Sequence, residues 1–207
     1  MAAGRGRPED LREACVREAL AIVAEQGVEG LSLREVARRL GVSHQAPYKH
    51  FPSRDHILAE MAARAFAAFA GHLESRPPGN PPHEDLAAMG RAYMDYALSR
   101  PLDYRLMFGT PLPNPADHPD MLRLACHAFD MLRQGIARAH AAEGRTVEGQ
   151  DLDADALYVW STLHGLAGIL RGQATGGLVQ VAVPVETVLE EMLARVGRGL
   201  GLRAGKT

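Results

Sequence analysis

The segment VEGLSLREVARRLGVSHQAPYKHFPSRDHIL (residues 28–58) contains two short runs of apolar residues at helical spacing, joined only by Gly41 and Val42. Ser32 precedes the first run and stands three residues before Glu35, which is the spacing of a capping box. Ser43 precedes the second run as another favourable N-cap. Two helices joined by so short a turn are typical of a helix-turn-helix, whose second helix can enter the major groove of DNA.

Pro47 lies inside the second run, where proline normally interrupts a helix. With Ser43 as the N-cap, Pro47 is only the fourth helical residue, so a single first-turn hydrogen bond to the Ser43 carbonyl is lost. The sequence therefore predicts a short, stiff recognition helix whose distorted first turn orients His44 and Gln45.

Net positive charge is a local property of this segment, because the chain as a whole is slightly acidic. The whole 207-residue chain has a formal net charge of −2, so a nucleic-acid site must come from local charge. From Ser32 to Arg54 there are five basic residues against Glu35 alone, a local charge of +4. Such a patch is the electrostatic footprint of a DNA-binding element, although the solvated surface of a small helical hairpin would look the same. The five are Arg34, Arg38, Arg39, Lys49 and Arg54.

Helical periodicity dominates the rest of the chain, and strand-like alternation is nearly absent. We predict an all-α fold of about nine helices, with a three-helix DNA-binding domain in residues 1–55 and a helical effector-binding and dimerisation domain in residues 56–207. The proline-rich stretch PPGNPP (77–82) separates the fourth helix from the fifth.

Several functional classes are disfavoured. No cysteine pair has metal-ligand spacing, no nucleophile motif or phosphate-cradling glycine loop is present, and no two histidines form a metal pair on one helix face. We therefore expect no metal, no cofactor and no enzymatic activity. The longest uncharged run, Ala156 to Leu170, is shorter than the ~20 residues that span a bilayer. A cytoplasmic protein is expected.

Residues 28–58 resemble the DNA-binding segment of the TetR (tetracycline-repressor-like) family of bacterial transcriptional regulators. The resemblance rests on Gly27, Ser32 and the LGVS turn (40–43), on the aromatic-x-His-Phe ending at residues 48–51, and on the Ser-basic-acidic start at residues 53–55. It is dense over residues 10–58, and the helix count beyond residue 58 agrees with that family.

The resemblance implies two groups of DNA-binding residues. Gln45 could pair with adenine, His44 could meet a base edge, and Ala46 could touch a thymine methyl group. Tyr48 and His50 could instead be structural. The groove-facing group is Ser43, His44, Gln45, Ala46 and Lys49. The phosphate-contacting group is Ser32, Tyr48, His50 and Arg54, to which Arg34 and Arg39 add. The basic arm GRGRP (4–8) could follow the backbone or be a disordered tail.

The C-terminal helices point to a dimer. The eighth predicted helix carries no charged residue from Ala156 to Leu170, so one face is expected to meet the core and the other a partner. With the ninth helix it would form a four-helix interface, as the family implies, to which we assign Gly165, Gly168, Gly172, Val188, Met192 and Val196. The pattern YVWSTLHGLAG (158–168) resembles a Trp/His-Gly subgroup of the family.

An effector pocket is expected among the helices between the two ends of the chain. Aromatic and methionine residues at helical spacing are also ordinary core residues, so each candidate has a structural alternative. Since few charges fall in these stripes, a mostly apolar effector is favoured. The candidates are Phe66, Met89, Tyr93, Tyr96, Met107, Phe108, Phe129, Trp160 and His164.

Together these patterns predict a dimeric repressor that binds a palindromic operator and is released by a small molecule. The fourth helix would connect the pocket with the DNA-binding element. The alternatives are a helical protein-interaction module without DNA binding and, least favoured, an enzyme.

Overall fold

The computed structural model describes residues 10–77, 79–172 and 184–202. The basic arm at residues 4–8 lies outside these ranges. Every regular element within them is helical, which confirms the all-α prediction. The α-helices are α1 (Leu11–Gln26), α2 (Leu33–Leu40), α3 (Arg54–Glu74), α4 (Pro82–Ser99), α5 (Pro101–Phe108), α6 (Pro119–Ala142), α7 (Gly149–Arg171) and α8 (Val185–Gly199). Short 3-10 turns are formed by Val28–Gly30, Pro47–Lys49 and Pro115–Asp117.

Packing divides these residues into two compact units. The first unit comprises the described residues up to Phe66 together with Leu102–Leu124, and the second unit comprises Ala67–Pro101 and the described residues from Ala125 onward. Helices α3 and α6 contribute residues to both units. The predicted domain boundary at residues 55 and 56 stays a prediction; the first unit also contains a segment from the middle of the chain.

In the first unit, α1 packs against α2 and against the turn between them. Asp10 caps α1 by accepting a hydrogen bond from the amide of Arg12 at 3.1 Å, and Ser32 caps α2 by accepting one from the amide of Glu35 at 3.1 Å. The apolar residues that face inward are fully buried and form the core of this unit. They include Cys15, Ala19, Ile22, Val23, Leu33, Val36, Phe51, Ile57 and Leu58.

Gly41 ends α2 with a left-handed backbone, at φ 67° and ψ 25°. Its amide bonds to the carbonyls of Ala37 and Arg38, and the amide of Val42 bonds to the Ala37 carbonyl at 3.1 Å. These are the bonds of a Schellman motif, which satisfies the last carbonyls of a helix and turns the chain sharply. The predicted turn of a helix-turn-helix therefore has a defined backbone geometry.

The reading segment, residues 43–51, differs from the predicted third helix. It forms a turn followed by the 3-10 turn Pro47–Lys49, so the described residues contain eight α-helices rather than about nine. Because Pro47 has no amide hydrogen, the Ser43 carbonyl is bonded instead by the amide of Ala46 at 2.9 Å, an i→i+3 bond. The predicted distortion of the first turn thus extends through the whole segment.

In the second unit, α4 packs against α7 and α8. The helices approach closely at Gly90, where an added Cβ would lie 2.5 Å from Cδ2 of Leu193. At the surface, Nε of Arg91 on α4 donates to Glu190 on α8 at 2.6 Å. No helix in the described part of the chain is both long enough and apolar enough to cross a bilayer.

We predict that Gly41→Ala destabilises the protein by about 1 kcal/mol, because a Cβ strains the left-handed backbone although it would meet open space. The matched control is Gly71→Ala on α3, where a Cβ also meets open space but the backbone is helical. There alanine is expected to stabilise by about 0.5–1 kcal/mol. Urea unfolding followed by circular dichroism measures the free energy of unfolding of both variants. If both variants were stabilised, or both destabilised, the left-handed backbone assigned to Gly41 would be contradicted.

Candidate nucleic-acid interface

The reading segment presents most of its predicted DNA-binding residues to solvent. Ser43, His44, Gln45, Lys49 and His50 are exposed, as is Tyr48 with 46% of its surface accessible. Ala46 is half-buried. The segment therefore offers an amide, imidazoles, an ammonium and hydroxyl groups within eight residues, which are the groups that read base edges and hold phosphates.

Pro47 and Phe51 hold this segment against the core. Both are buried, and the Phe51 amide donates to the Pro47 carbonyl at 2.9 Å. The guanidinium of Arg12 lies 5.3 Å from the centre of the Phe51 ring, a cation–π distance. Pro47 and Phe51 thus fix the end of the segment, while residues 48–50 between them and residues 43–45 before Pro47 face solvent.

Helix α2 contributes Ser32 and Arg34, both of which are exposed. The Ser32 oxygen accepts a hydrogen bond as the N-cap, while its hydroxyl hydrogen can still donate to an anion. The amides of the first turn of α2 lie beside it and favour negative charge. This arrangement suits the phosphate contact predicted for Ser32.

Arg39 is surrounded by carboxylates, and only 17% of its side chain is exposed. Its guanidinium contacts Glu25 at 2.8 Å, Glu35 at 3.0 Å and Glu18 at 3.4 Å. The bonds to Glu25 and then Glu35 raise the pKa of Arg39 above its ordinary value. The arginine predicted to contact phosphate therefore lies between α1 and α2, in a position suited to holding the two helices together.

Arg38 and Glu35 form a second ion pair on the same helix. Nε and an Nη of Arg38 each donate to a different carboxylate oxygen of Glu35 at 2.7 Å, a bidentate geometry. Arg38 and then Arg39 lower the pKa of Glu35 to about 2. The spacings of three and four residues were readable from the sequence, but the prediction counted only net charge.

Arg54 hydrogen-bonds the protein backbone, although part of its side chain is exposed. Its Nη2 donates to the Val28 carbonyl at 2.7 Å and its Nε to the Leu31 carbonyl at 3.0 Å. An Nη also lies 3.7 Å from Asp55. This guanidinium thus connects the start of α3 with the turn that precedes α2, a role that the sequence did not indicate.

A further arginine reaches this region from the middle of the chain. Nη2 of Arg105 on α5 donates to the carbonyl of Val23 near the end of α1 at 2.6 Å. Met121, from the same part of the chain, forms a buried cluster with Ala59, Ala62 and Ala63 of α3. Leu112 and Leu124 pack against this cluster. Long-range packing of this kind has no signature in local periodicity.

The predicted effector-binding residues fall into both units. In the first unit, Phe66 and Phe108 meet edge to face at 5.9 Å, Phe108 also meets Tyr104 at 5.0 Å, and Met107 is buried. The other six candidates are in the second unit: Met89, Tyr93, Tyr96, Phe129, Trp160 and His164.

Aromatic contacts link most of the second group. The Trp160 ring lies 6.0 Å from Phe129 and 5.8 Å from His164, and the Tyr93 hydroxyl lies 3.1 Å from Nδ1 of His164. Phe69, which was not predicted as a site residue, packs against Tyr93 at 5.6 Å and against Tyr96 at 5.2 Å. The sequence signal that could have pointed to Phe69 is its spacing of three residues from Phe66, because residues three apart are neighbours on a helix.

His164 is poised to remain neutral in this cluster. Burial, and after it the positive charge of Arg171, lowers the pKa of His164 below its ordinary value. A neutral imidazole has one donor and one acceptor nitrogen, so together with the Tyr93 hydroxyl it can bind a polar group in mostly apolar surroundings.

Helix α7 has an exposed face without charge. Leu157, Tyr158 and Ile169 are 52%, 43% and 49% exposed, and Gly165 and Gly168 are exposed with no atom within 4 Å of an added Cβ. The opposite face is buried. The structure therefore places the predicted glycines on an outward apolar surface, and it adds three large side chains that the prediction missed.

The remaining predicted interface residues are less accessible. Gly172, Val188 and Met192 are half-buried, and Val196 is 4% exposed, so Val196 packs within its own protomer. Val196 and Leu193 are the α8 residues that are buried within the second unit. Helical periodicity identifies an apolar face, but it does not show whether that face packs against the same chain or against a partner.

The fold and the exposed reading segment define a helix-turn-helix protein of the DNA-binding regulator class. Residues 16–61 match the family model for bacterial regulatory proteins of the tetR family, and residues 86–196 match that of the tetracyclin repressor-like C-terminal domain. The chain belongs to the TetR family. The Trp/His-Gly subgroup stays a prediction.

Similar proteins agree with this assignment. The HTH-type transcriptional regulator Rv1816 of Mycobacterium tuberculosis is 28% identical over 139 residues, which cover 63% of this chain and 59% of that protein. The class A tetracycline repressor from transposon 1721 of Escherichia coli is 29% identical over 150 residues, 68% of each chain. A solved structure of a Rhodococcus sp. RHA1 protein of unknown function has a TM-score of 0.75 at 29% identity, covering 94% of this chain and 98% of its own.

The match spans less than two thirds of the length of the mycobacterial regulator. Both named relatives are regulators of transcription by name, a transcriptional regulator and a repressor.

We predict that Arg54→Ala lowers the free energy of unfolding by about 1–2 kcal/mol, because two carbonyls lose a charged donor at a partly exposed site. Lys49→Ala removes the same charge from an exposed side chain of the reading segment and is expected to leave stability nearly unchanged. Urea titration of both variants distinguishes these roles. Equal stability of the two variants would show that the Arg54 hydrogen bonds do not hold the turn.

Proposed function

We propose that the protein is a bacterial transcriptional repressor that binds a palindromic operator as a homodimer and is released by a small, mostly apolar effector. The observation that carries the proposal is the reading segment, which exposes Ser43, His44, Gln45, Tyr48, Lys49 and His50 while Pro47 and Phe51 hold it against the core. A transcriptional regulator acts on the chromosome, so the proposed location is the bacterial cytoplasm.

The proposed division of labour separates base contacts from phosphate contacts. Gln45 is exposed on the reading segment and would read a base edge, while Arg34 is exposed on α2 and would hold the backbone. Arg39 and Arg54 are engaged within the protein, which supports assigning them to the architecture of the site rather than to direct contact.

We predict that Gln45→Ala changes sequence preference by about 1–3 kcal/mol at one position of the operator. Arg34→Ala should weaken binding to every sequence to a similar extent and reduce the salt slope by about 0.9 per subunit. Fluorescence anisotropy with the upstream DNA and a scrambled duplex, at several salt concentrations, measures both. If wild-type protein shows no salt-sensitive, sequence-preferring binding, the regulator proposal fails and an interaction module becomes the better explanation.

Dimerisation is proposed through α7 and α8. The uncharged outward face of α7 is large and apolar, and its two exposed glycines would allow the backbone of a partner helix to approach closely. A two-fold dimer would also present two reading segments to the two halves of a palindrome.

We predict that Ile169→Glu yields a monomer in sedimentation analysis and lowers operator affinity at least tenfold, because an unpaired charge would be buried in the interface. Leu122→Glu on α6 is the control, since this leucine is 43% exposed and lies outside the proposed interface. A dimeric Ile169→Glu protein would place the interface elsewhere.

The effector is proposed to bind beside Tyr93, Tyr96, Trp160 and His164. Within this group Trp160 contacts His164, Tyr93 and Tyr96 both pack against Phe69, and the Tyr93 hydroxyl and the His164 imidazole are adjacent polar groups. A ligand with an apolar body and a single polar group would match this composition. Trp160 is the only tryptophan in the chain, so its fluorescence reports binding in a screen of apolar compounds.

A further inference from the structure

We propose that Arg38 is a further phosphate ligand that Glu35 holds in an intramolecular ion pair, so that Glu35 sets the affinity of the protein for the DNA backbone. This inference rests on the proposed function, because it concerns the same DNA-binding surface. It assigns an opposing role to the single acidic residue in the basic segment.

The geometry of α2 places Arg38 on the outer side of the helix. Leu33, Val36 and Ala37 are buried, whereas Arg34 and Arg38 are exposed and stand four residues apart on one face. Arg38 is 67% exposed, so its guanidinium can leave Glu35 without displacing the core. An arginine in this position lies on the same side of α2 as the residue proposed to hold the DNA backbone.

The ion pair with Glu35 competes with that role. A bidentate guanidinium–carboxylate pair at 2.7 Å occupies Nε and Nη2 of Arg38 and places a negative charge beside the guanidinium that would bind a phosphate. While the pair is intact, the Glu35 carboxylate offsets the charge of Arg38, so a phosphate contact by Arg38 neutralises less of the DNA charge. The gain from a phosphate contact is reduced by the loss of the existing pair.

Few cations of the basic segment are available to DNA, so a single carboxylate has a large effect on DNA affinity. Of the five basic residues between Ser32 and Arg54, Arg38 and Arg39 contact Glu35, and Arg54 contacts two carbonyls. Arg34 and Lys49 are exposed and make no ion pair among the described residues. The local charge of +4 therefore overstates the number of cations available to DNA.

Removal of the Glu35 charge is expected to release one arginine rather than two. Arg39 keeps its contacts with Glu25 at 2.8 Å and Glu18 at 3.4 Å, whereas Arg38 loses its carboxylate partner. Because each neutralised phosphate steepens the salt dependence by about 0.9, the expected change is one such increment per subunit.

The test compares Glu35→Gln with Glu29→Gln by fluorescence anisotropy on a scrambled duplex and on the upstream DNA, over a salt series. Glu29 is exposed in the turn Val28–Gly30 and makes no ion pair among the described residues, so its variant has the same change in net charge without releasing an arginine. Glu35→Gln should bind the scrambled duplex roughly 3- to 10-fold more tightly at low salt, with a steeper slope, and Glu29→Gln should stay close to wild type.

A double-variant cycle assigns the effect to Arg38. In the Arg38→Gln background, Glu35→Gln should produce no further gain, because the arginine that it would release is absent. Glu35→Asp retains the charge but shortens the side chain, so an intermediate gain in affinity is expected. Thermal melting of each variant shows whether Glu35→Gln folds poorly, and in that case Glu35→Asp provides a second test.

Equal affinities of Glu35→Gln and Glu29→Gln for the scrambled duplex would overturn the inference, as would a gain that persists without Arg38. Both outcomes leave operator binding by the wild-type protein intact. Loss of the proposed function has a different signature, since wild-type protein would then show no salt-sensitive binding to either duplex.

Discussion

The missing amide hydrogen of Pro47 determines the backbone of the reading segment. An amide at this position would bond the Ser43 carbonyl and continue an α-helix; without it, the Ala46 amide takes that carbonyl and the chain tightens into three-residue turns. Pro47 itself is buried, and the chain then returns to the core at Phe51. The exposed residues before Pro47, and those between Pro47 and Phe51, are presented by turns rather than by a regular recognition helix.

Arginine has three different roles around this loop. Arg54 satisfies backbone carbonyls, Arg39 is enclosed by carboxylates from two helices, and Arg34 is open to solvent. The fork of donors on a guanidinium suits all three roles equally well, which is why residue type alone does not reveal which one an arginine has. Only the position of acceptors in the folded chain separates a structural cation from one that can meet DNA.

This contrast explains what the sequence could predict. Ser32 and Gly41 act through neighbours within a few residues, so their roles as caps were readable from spacing. The partners of Arg54 and Arg105 are 23 to 82 residues distant, and no periodicity encodes such contacts. The aromatic candidates were recognised by type, but their division between two units depends on which helices pack together, as Phe66 and Trp160 illustrate.

The insertion of Leu102–Leu124 into the first unit has a consequence for synthesis on the ribosome. Helices α1 and α2 are complete when residue 66 emerges, yet Val23 still lacks Arg105, and the alanines of α3 still lack Met121. At typical translation rates the missing segment follows roughly 3 to 12 seconds later. During that interval the nascent N-terminal region carries an uncovered apolar surface. The time at which this region completes its folding is therefore set by a stretch of chain that contains none of the proposed DNA-binding residues.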